Sequence, residues 1–236
     1  MCTATFIKDK SGRITFTTNR DENAARPTAQ PKIHEINGQK LLFPQDLLAG
    51  GTWVAVNENG LLCCILNGAK GEDSWLGTKA EKSRGQVLLE AFQYPSVEDY
   101  FSEKEMENAH PFTLLWISPD SDEIGEIRWN GKEKWFSKVR TNQPHIWSSH
   151  TLYPEEQRRQ REARFHALMA DEKYHNAEAI WEIHQSSKSE NGLLLENSPH
   201  VNTVSTTQLI IDPQSAQMYY YQIDQGLRFV DELGIS

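Results

Sequence analysis

The run Leu61-Leu62-Cys63-Cys64-Ile65-Leu66 is apolar at every position. A β-strand turns alternate side chains to opposite faces, so such a run must be covered on both sides. It follows WVAVN (53–57) across Glu58-Asn59-Gly60, a turn signal, and the two segments read as a hairpin. Further hairpins are predicted for residues 2–8 with 13–18 around DKSG, and for 33–36 with 40–43 around Asn37-Gly38. Residues 78–93 change period. Val87, Leu88, Ala91 and Phe92 fall on one helical face there, with Thr78 as the expected N-cap. A second helix is predicted over 96–107, capped by Ser96. Strands return at 112–118, 124–129 and 133–138, the last two around Asn130-Gly131. Helices follow at 154–170 and 176–186, then a loop over 187–199. Strands at 203–212 and 216–223 are the last strong ones.

The order is strands, helices, strands, helices, strands. The lack of βαβ alternation argues against a doubly wound parallel sheet, and stacked antiparallel sheets covered by helices are expected. No linker or repeat divides the 236 residues, so one domain spanning 1–236 is expected. Net charge is −9 and there is no basic run, which argues against a nucleic-acid groove or an anionic membrane surface. No stretch approaches the roughly 18 apolar residues of a membrane span, and no secretory signal is visible. The three cysteines, Cys2, Cys63 and Cys64, do not make a disulfide framework, so a reducing, cytoplasmic location is expected. Cys63 and Cys64 lack the Cys/His spacing of a zinc site and are expected in the core, with no metal.

Cys2 is the candidate nucleophile. Methionine is normally removed before a small second residue, which would leave a thiol and a free α-amine on one residue. An α-amino pKa of roughly 7.7–8.0 suits a base near neutral pH. The amine could deprotonate the thiol, and the thiolate could attack a carbonyl. Alone, a strand cysteine is more often a small apolar residue. The segment Asn19-Arg20-Asp21-Glu22 shifts the balance, because the first hairpin returns it to the start of strand 2–8. Arginine would lower the thiol pKa, and a carboxylate could hold the ammonium. Asn67 ends the 61–67 strand, where its amide could donate to an oxyanion.

Together, Met1-Cys2-Thr3, Asn19-Arg20-Asp21-Glu22, Arg26-Pro27, Gly50-Gly51-Thr52-Trp53, Asn67 and Ser83-Arg84-Gly85 resemble the NRDE family, also called the transport and Golgi organisation protein 2 family. The resemblance is dense to about residue 90 and looser beyond. It implies an α+β, N-terminal-nucleophile (Ntn) hydrolase-like fold, a four-layer αββα sandwich of mainly antiparallel sheets. The first 70 residues are also similar to cysteine Ntn hydrolases such as bile-salt hydrolases, penicillin V acylases and acid-ceramidase-like amidases. That similarity implies Cys2 as nucleophile, Arg20 and Asp21 positioning it, and Asn67 in the oxyanion hole. Asn19, Glu22, Arg26, Trp53 and His150 are then expected to bind substrate.

His150 falls where those hydrolases carry a further asparagine, and their arginine before the last core strand has no counterpart before residue 203. The reaction implied is hydrolysis of a small-molecule, non-peptide amide through an acyl-cysteine. The family's association with haem and with lipid or acyl-CoA metabolism implies a second reading, a non-catalytic carrier with haem as cargo and no resident cofactor. A role in secretory-pathway organisation is a third.

Overall fold

The computed structural model describes residues 2–69, 81–187, 192–196 and 198–236. The first hairpin forms as expected, β1 (Cys2–Lys8) pairing antiparallel with β2 (Ile14–Glu22). β2 runs on through Glu22, whereas the sequence suggested an end at Thr18. The extension is held by a distant partner, β11 (Asn202–Ile211), which pairs with it as far as Asn202 opposite Glu22. Next come β3 (Thr28–Ile36) and β4 (Gln39–Asp46), joined at Asn37 (φ 52°) and Gly38 (φ 79°). Two left-handed residues in succession are what a tight two-residue hairpin demands, hence Asn-Gly. β5 (Val54–Asn57) and β6 (Leu62–Asn67) follow as predicted.

Two helices succeed them, α1 (Arg84–Ala91) and α2 (Val97–Glu103). Thr78 lies outside the described residues. The cap of α1 is Ser83, whose hydroxyl accepts from Gln86 N–H while the Gln86 side chain returns to Ser83 N–H. Then come β7 (Phe112–Ile117), β8 (Glu123–Trp129), β9 (Lys134–Arg140) and β10 (His145–Ser148). Helices α3 (Glu155–Met169) and α4 (Ala177–Gln185) precede β11, β12 (Ser215–Gln222) and β13 (Leu227–Gly234). The sequence did not reveal β10 or β13.

The strands form two antiparallel sheets, in the orders β10-β1-β2-β11-β12-β13 and β3-β4-β5-β6-β7-β8-β9. They face one another across a core that includes Ala4, Phe6, Phe16, Val54, Leu62, Cys64, Leu66, Leu209 and Met218. Behind the larger sheet, Cys63 and Ile65 meet Val87, Leu88 and Ala91 of α1. Behind the smaller, Ile7 meets Phe165 of α3 and Ile180 of α4. The result is the four-layer αββα sandwich. The strand 61–66 explains its own pattern: Leu62, Cys64 and Leu66 point between the sheets, Cys63 and Ile65 toward the helices. Burying each large apolar side chain contributes roughly 1.5–3 kcal/mol before entropic costs. Among the described residues no helix is long and apolar enough to cross a membrane.

Candidate functional site

Cys2 opens β1 directly opposite Arg20. Both line a cleft of about 450 Å³ at one end of the sandwich, with Glu22, Arg26, Trp53 and Asn67. The alternation of β2 decides which of its polar residues share this cleft. Arg20 and Glu22 lie on the Cys2 side, while Asn19 and Asp21 turn to the helices on the other. Asn19, expected to bind substrate, is instead a fully buried tie. Its Nδ2 donates to the carbonyls of His184 (3.0 Å) and Leu193 (3.3 Å), and its Oδ1 accepts from Thr206 Oγ1 (2.9 Å). His150 is likewise outside the lining of the Cys2 cleft. It borders a separate cavity with Trp147, Arg158 and Glu162, because β10 has already ended at Ser148.

Arg20 is held from the other sheet. Its Nη2 donates to Asp46 Oδ2 at 2.7 Å, and its guanidinium carbon stands 4.9 Å from the centre of the Trp53 ring. Asp46 also accepts from Arg26 Nε at 2.6 Å and from the N–H groups of Leu48 and Ala49. Burial works to raise the Asp46 pKa, but the Arg26 hydrogen bond, the Ala49 N–H and the two guanidinium charges outweigh it. The carboxyl stays below its ordinary range. Sequence reasoning missed this residue, since nothing in Gln45-Asp46-Leu47 announces a partner on β2.

Gly50-Gly51-Thr52-Trp53 acquires a physical meaning here. Gly50 adopts φ 70°, and Asp46 N–H donates to Gly51 O at 2.9 Å to close the turn. Thr52 Oγ1 donates to Pro44 O at 2.6 Å. Helix α1 packs backbone to backbone on this turn, and a Cβ on Gly85 would come within 2.7 Å of Thr52 N. Glycine at 85 therefore brings the helix N-terminus into the cleft, beside Trp53.

Ser149 joins the two ends of the site. Its N–H donates to Cys2 O at 2.9 Å, and its hydroxyl donates to Asn67 O at 2.8 Å; His150 N–H reaches the same Asn67 carbonyl at 3.1 Å. The fully buried Ser149 thus fixes the start of β1, which carries Cys2, against the strand end that carries Asn67. Its signal in the sequence, a serine after a short strand, is indistinguishable from a turn residue.

On the helix side, Asp21 is buried and accepts from Thr203 Oγ1 (2.7 Å) and Tyr153 OH (3.3 Å). The register places the position-21 end of β2 beyond Cys2, on the side of the Cys2 backbone nitrogen. An arginine does stand beside β1, though it comes from α3. Arg161 Nη2 donates to Thr3 Oγ1 at 2.8 Å, and the guanidinium lies 4.3 Å from the Tyr153 ring centre.

Burial pushes the Cys2 thiol above its ordinary range, with the Asp21 charge adding to it and Arg20 opposing. A resting thiol here is protonated and needs a base. Burial also drives Asp21 up to about 6, against the hydrogen bond from Thr203. His184, fully buried between Thr5 Oγ1 (2.9 Å) and Asn19 Oδ1 (3.0 Å), is driven down to about 3 by burial and the Arg161 charge.

These shifts have opposite linkage. His184 stability is present above its ordinary value and is lost as pH falls. The folded state binds the Asp21 proton more tightly than the unfolded state, so that contribution is present at acid pH and lost as pH rises through about 6. Asp21→Asn is accordingly expected to stabilise the fold by up to about 3 kcal/mol at pH 7.5 and to have little effect at pH 4. Urea unfolding of both proteins across that range checks it; equal stabilities at pH 7.5 would show that Asp21 is not held against its charge.

A family model described as Transport and Golgi organisation 2 matches residues 1–222. No curated protein matches the chain in sequence. Among solved structures, two variants of the conjugated bile acid hydrolase from Clostridium perfringens superpose with TM-scores of 0.66 and 0.64, each 11% identical. They cover 98% and 97% of this chain and 92% of their own. The N-acylethanolamine-hydrolyzing acid amidase ortholog of Caenorhabditis elegans superposes with a TM-score of 0.54 at 12% identity, covering 88% of this chain and 92% of its own. These likenesses establish the Ntn-hydrolase-like fold. The family match spans nearly the whole sequence, and the chain belongs to the Transport and Golgi organisation 2 family.

Proposed function

We propose that this protein is a cysteine Ntn amidohydrolase acting on a small, non-peptide amide. The observation that carries the reading is Cys2 itself. It begins the first strand and lines the cleft opposite a buried, carboxylate-anchored arginine. Removal of Met1 would expose the Cys2 α-amine at the strand end nearest Asp21, whose carboxylate would hold the ammonium form.

The neutral amine takes the proton from Sγ, directly or through one water. The thiolate attacks the amide carbon, and the carbonyl π electrons move to oxygen. Asn67 Nδ2 donates to that oxyanion, and Arg20 supplies positive charge opposite Sγ. As the intermediate collapses, the C–N bond breaks and the α-ammonium protonates the departing amine. A thioester on Cys2 remains. Water, deprotonated by the α-amine, attacks it; the C–S bond breaks, the acid leaves and the thiol regains its proton.

The test is intact mass and N-terminal mapping of the purified protein, followed by a pulse with a thioester-forming acyl probe. The expected result is a chain lacking Met1 with the acyl mass on Cys2 alone. A chain that retains Met1, or a probe that labels no residue, removes the reading.

A further inference from the structure

The wall of the cleft formed by α1 has no role in the amide chemistry. Helix α1 enters it N-terminus first, and Ser83, Arg84, Gly85 and Gln86 all line it. The capping box satisfies the N–H groups of Ser83 and Gln86. The Gly85 N–H, in the first helical turn, has no acceptor within the helix. The partial positive charge of a helix N-terminus ordinarily draws an acidic side chain. α2, α3 and α4 each carry Glu or Asp in the first turn; α1 carries none and begins with Arg84.

Two buried donors supply the independent observation. Arg20 is 3% exposed and Trp53 6%, and both line the cleft. Among the described residues, Arg20 Nη1 and Trp53 Nε1 nevertheless have no hydrogen-bond partner. Both groups can only donate, so what completes them is an acceptor. Asp46 cannot serve further, because it already accepts from Arg20 Nη2, Arg26 and two backbone N–H groups. The donors lie close to the helix end, since Gly85 packs on Thr52 and the next residue, Trp53, stacks on Arg20. His110, also in the lining, is lowered by burial and by the Arg84 charge. Basic side chains outnumber acidic ones in this lining, in a chain whose net charge is −9.

We infer that the molecule taken by this cleft carries an anionic oxygen group, a carboxylate or a phosphate, seated between Arg84 and the Gly85 N–H of α1 and the donors of Arg20 and Trp53. The inference rests on the amidase reading for the rest of the substrate, which is then an N-acylated amine bearing an acid on the amine portion. The helix end binds that acid while the acyl carbonyl meets Cys2.

The test separates binding from turnover. Full-length protein carrying Cys2→Ala is titrated calorimetrically with N-octanoylglycine, with O-phospho-N-octanoylethanolamine and with neutral N-octanoylethanolamine. At least one anionic ligand is expected to bind about tenfold more tightly than the neutral one, and the tighter of the two identifies the acid. Adding Arg84→Gln is expected to erase most of that preference, and Arg84→Lys to keep it, which controls for damage to α1. Equal binding of all three ligands, no binding of any, or a preference indifferent to Arg84→Gln overturns the inference. With Cys2 intact, anion preference without release of octanoic acid removes the amidase reading alone. Release of octanoic acid without anion preference removes the anion site alone.

Discussion

Cys2→Ala is expected to abolish amide cleavage, a loss on the order of 10⁴-fold or more in kcat, while leaving the fold intact. In the proposed mechanism the thiol sulfur forms the covalent bond, and the Arg20 and Asn67 side chains have nothing to stabilise without it. Stability should change little, because Cys2 sits at the end of its strand and alanine fits the same small space between the sheets. The more telling variant keeps the thiol. A chain with an N-terminal extension that is not removed retains Cys2 Sγ but loses the free α-amine. Burial holds this thiol above its ordinary range, so a thiol without its base should fail almost as completely. Initial rates of acid release for the three proteins at pH 7.5 provide the check. Undiminished turnover by the extended chain would mean that another group takes the proton, and undiminished turnover by Cys2→Ala would exclude the residue altogether.

The second large effect is expected at Asp46. Asp46→Ala strips both guanidinium groups of their common acceptor and leaves Arg20 buried with its charge unpaired. Breaking a buried ion pair from one side typically costs about 3–5 kcal/mol. For a chain of this size that corresponds to a fall in Tm of roughly 10 °C. The cost is that of an isolated charge, so removing the charge as well should recover part of it. The double variant Asp46→Ala/Arg20→Met is expected to melt above Asp46→Ala. A double variant melting lower would place the stabilisation in Arg20's stacking on Trp53 and not in its charge. The double variant should also lose the proposed amide cleavage, since Arg20 faces Cys2 across β1 and β2.

Much of the layer pattern could be read locally. The uninterrupted apolar run 61–66 required cover on both faces, and the sheets and α1 provide it. Asn37-Gly38 fixed a hairpin because two left-handed residues are needed there. The pairing of β1 with β2 brought Arg20 opposite Cys2 from turn position alone. β10 and β13 escaped notice for different reasons. β10 has four residues, none fully buried, and exists because β1 offers it an edge. β13 is an outer strand that leaves Leu227 and Val230 exposed, so its alternation carries little hydrophobic signal. α3 reads as a long charged segment, yet Arg161 is buried against Tyr153 and, 158 residues away in the chain, Thr3.

The sequence by itself determined the main hairpin turns, which of the strongly patterned runs are strands or helices, and which few residues were candidates for acyl chemistry. Those properties follow from side-chain period and backbone preference over a few residues. Only the tertiary structure decided which polar groups share the cleft. β2 continues through Asn19-Arg20-Asp21-Glu22 because β11 pairs with it, and strand alternation then sends Arg20 and Glu22 to Cys2 and turns Asn19 and Asp21 away. Asp46 reaches Arg20 from the opposite sheet, Ser149 binds both Cys2 and Asn67, and α1 reaches the cleft over Gly51 and Gly85. Each of these is a contact between segments brought together by burying the two sheets face to face, and no local preference encodes it.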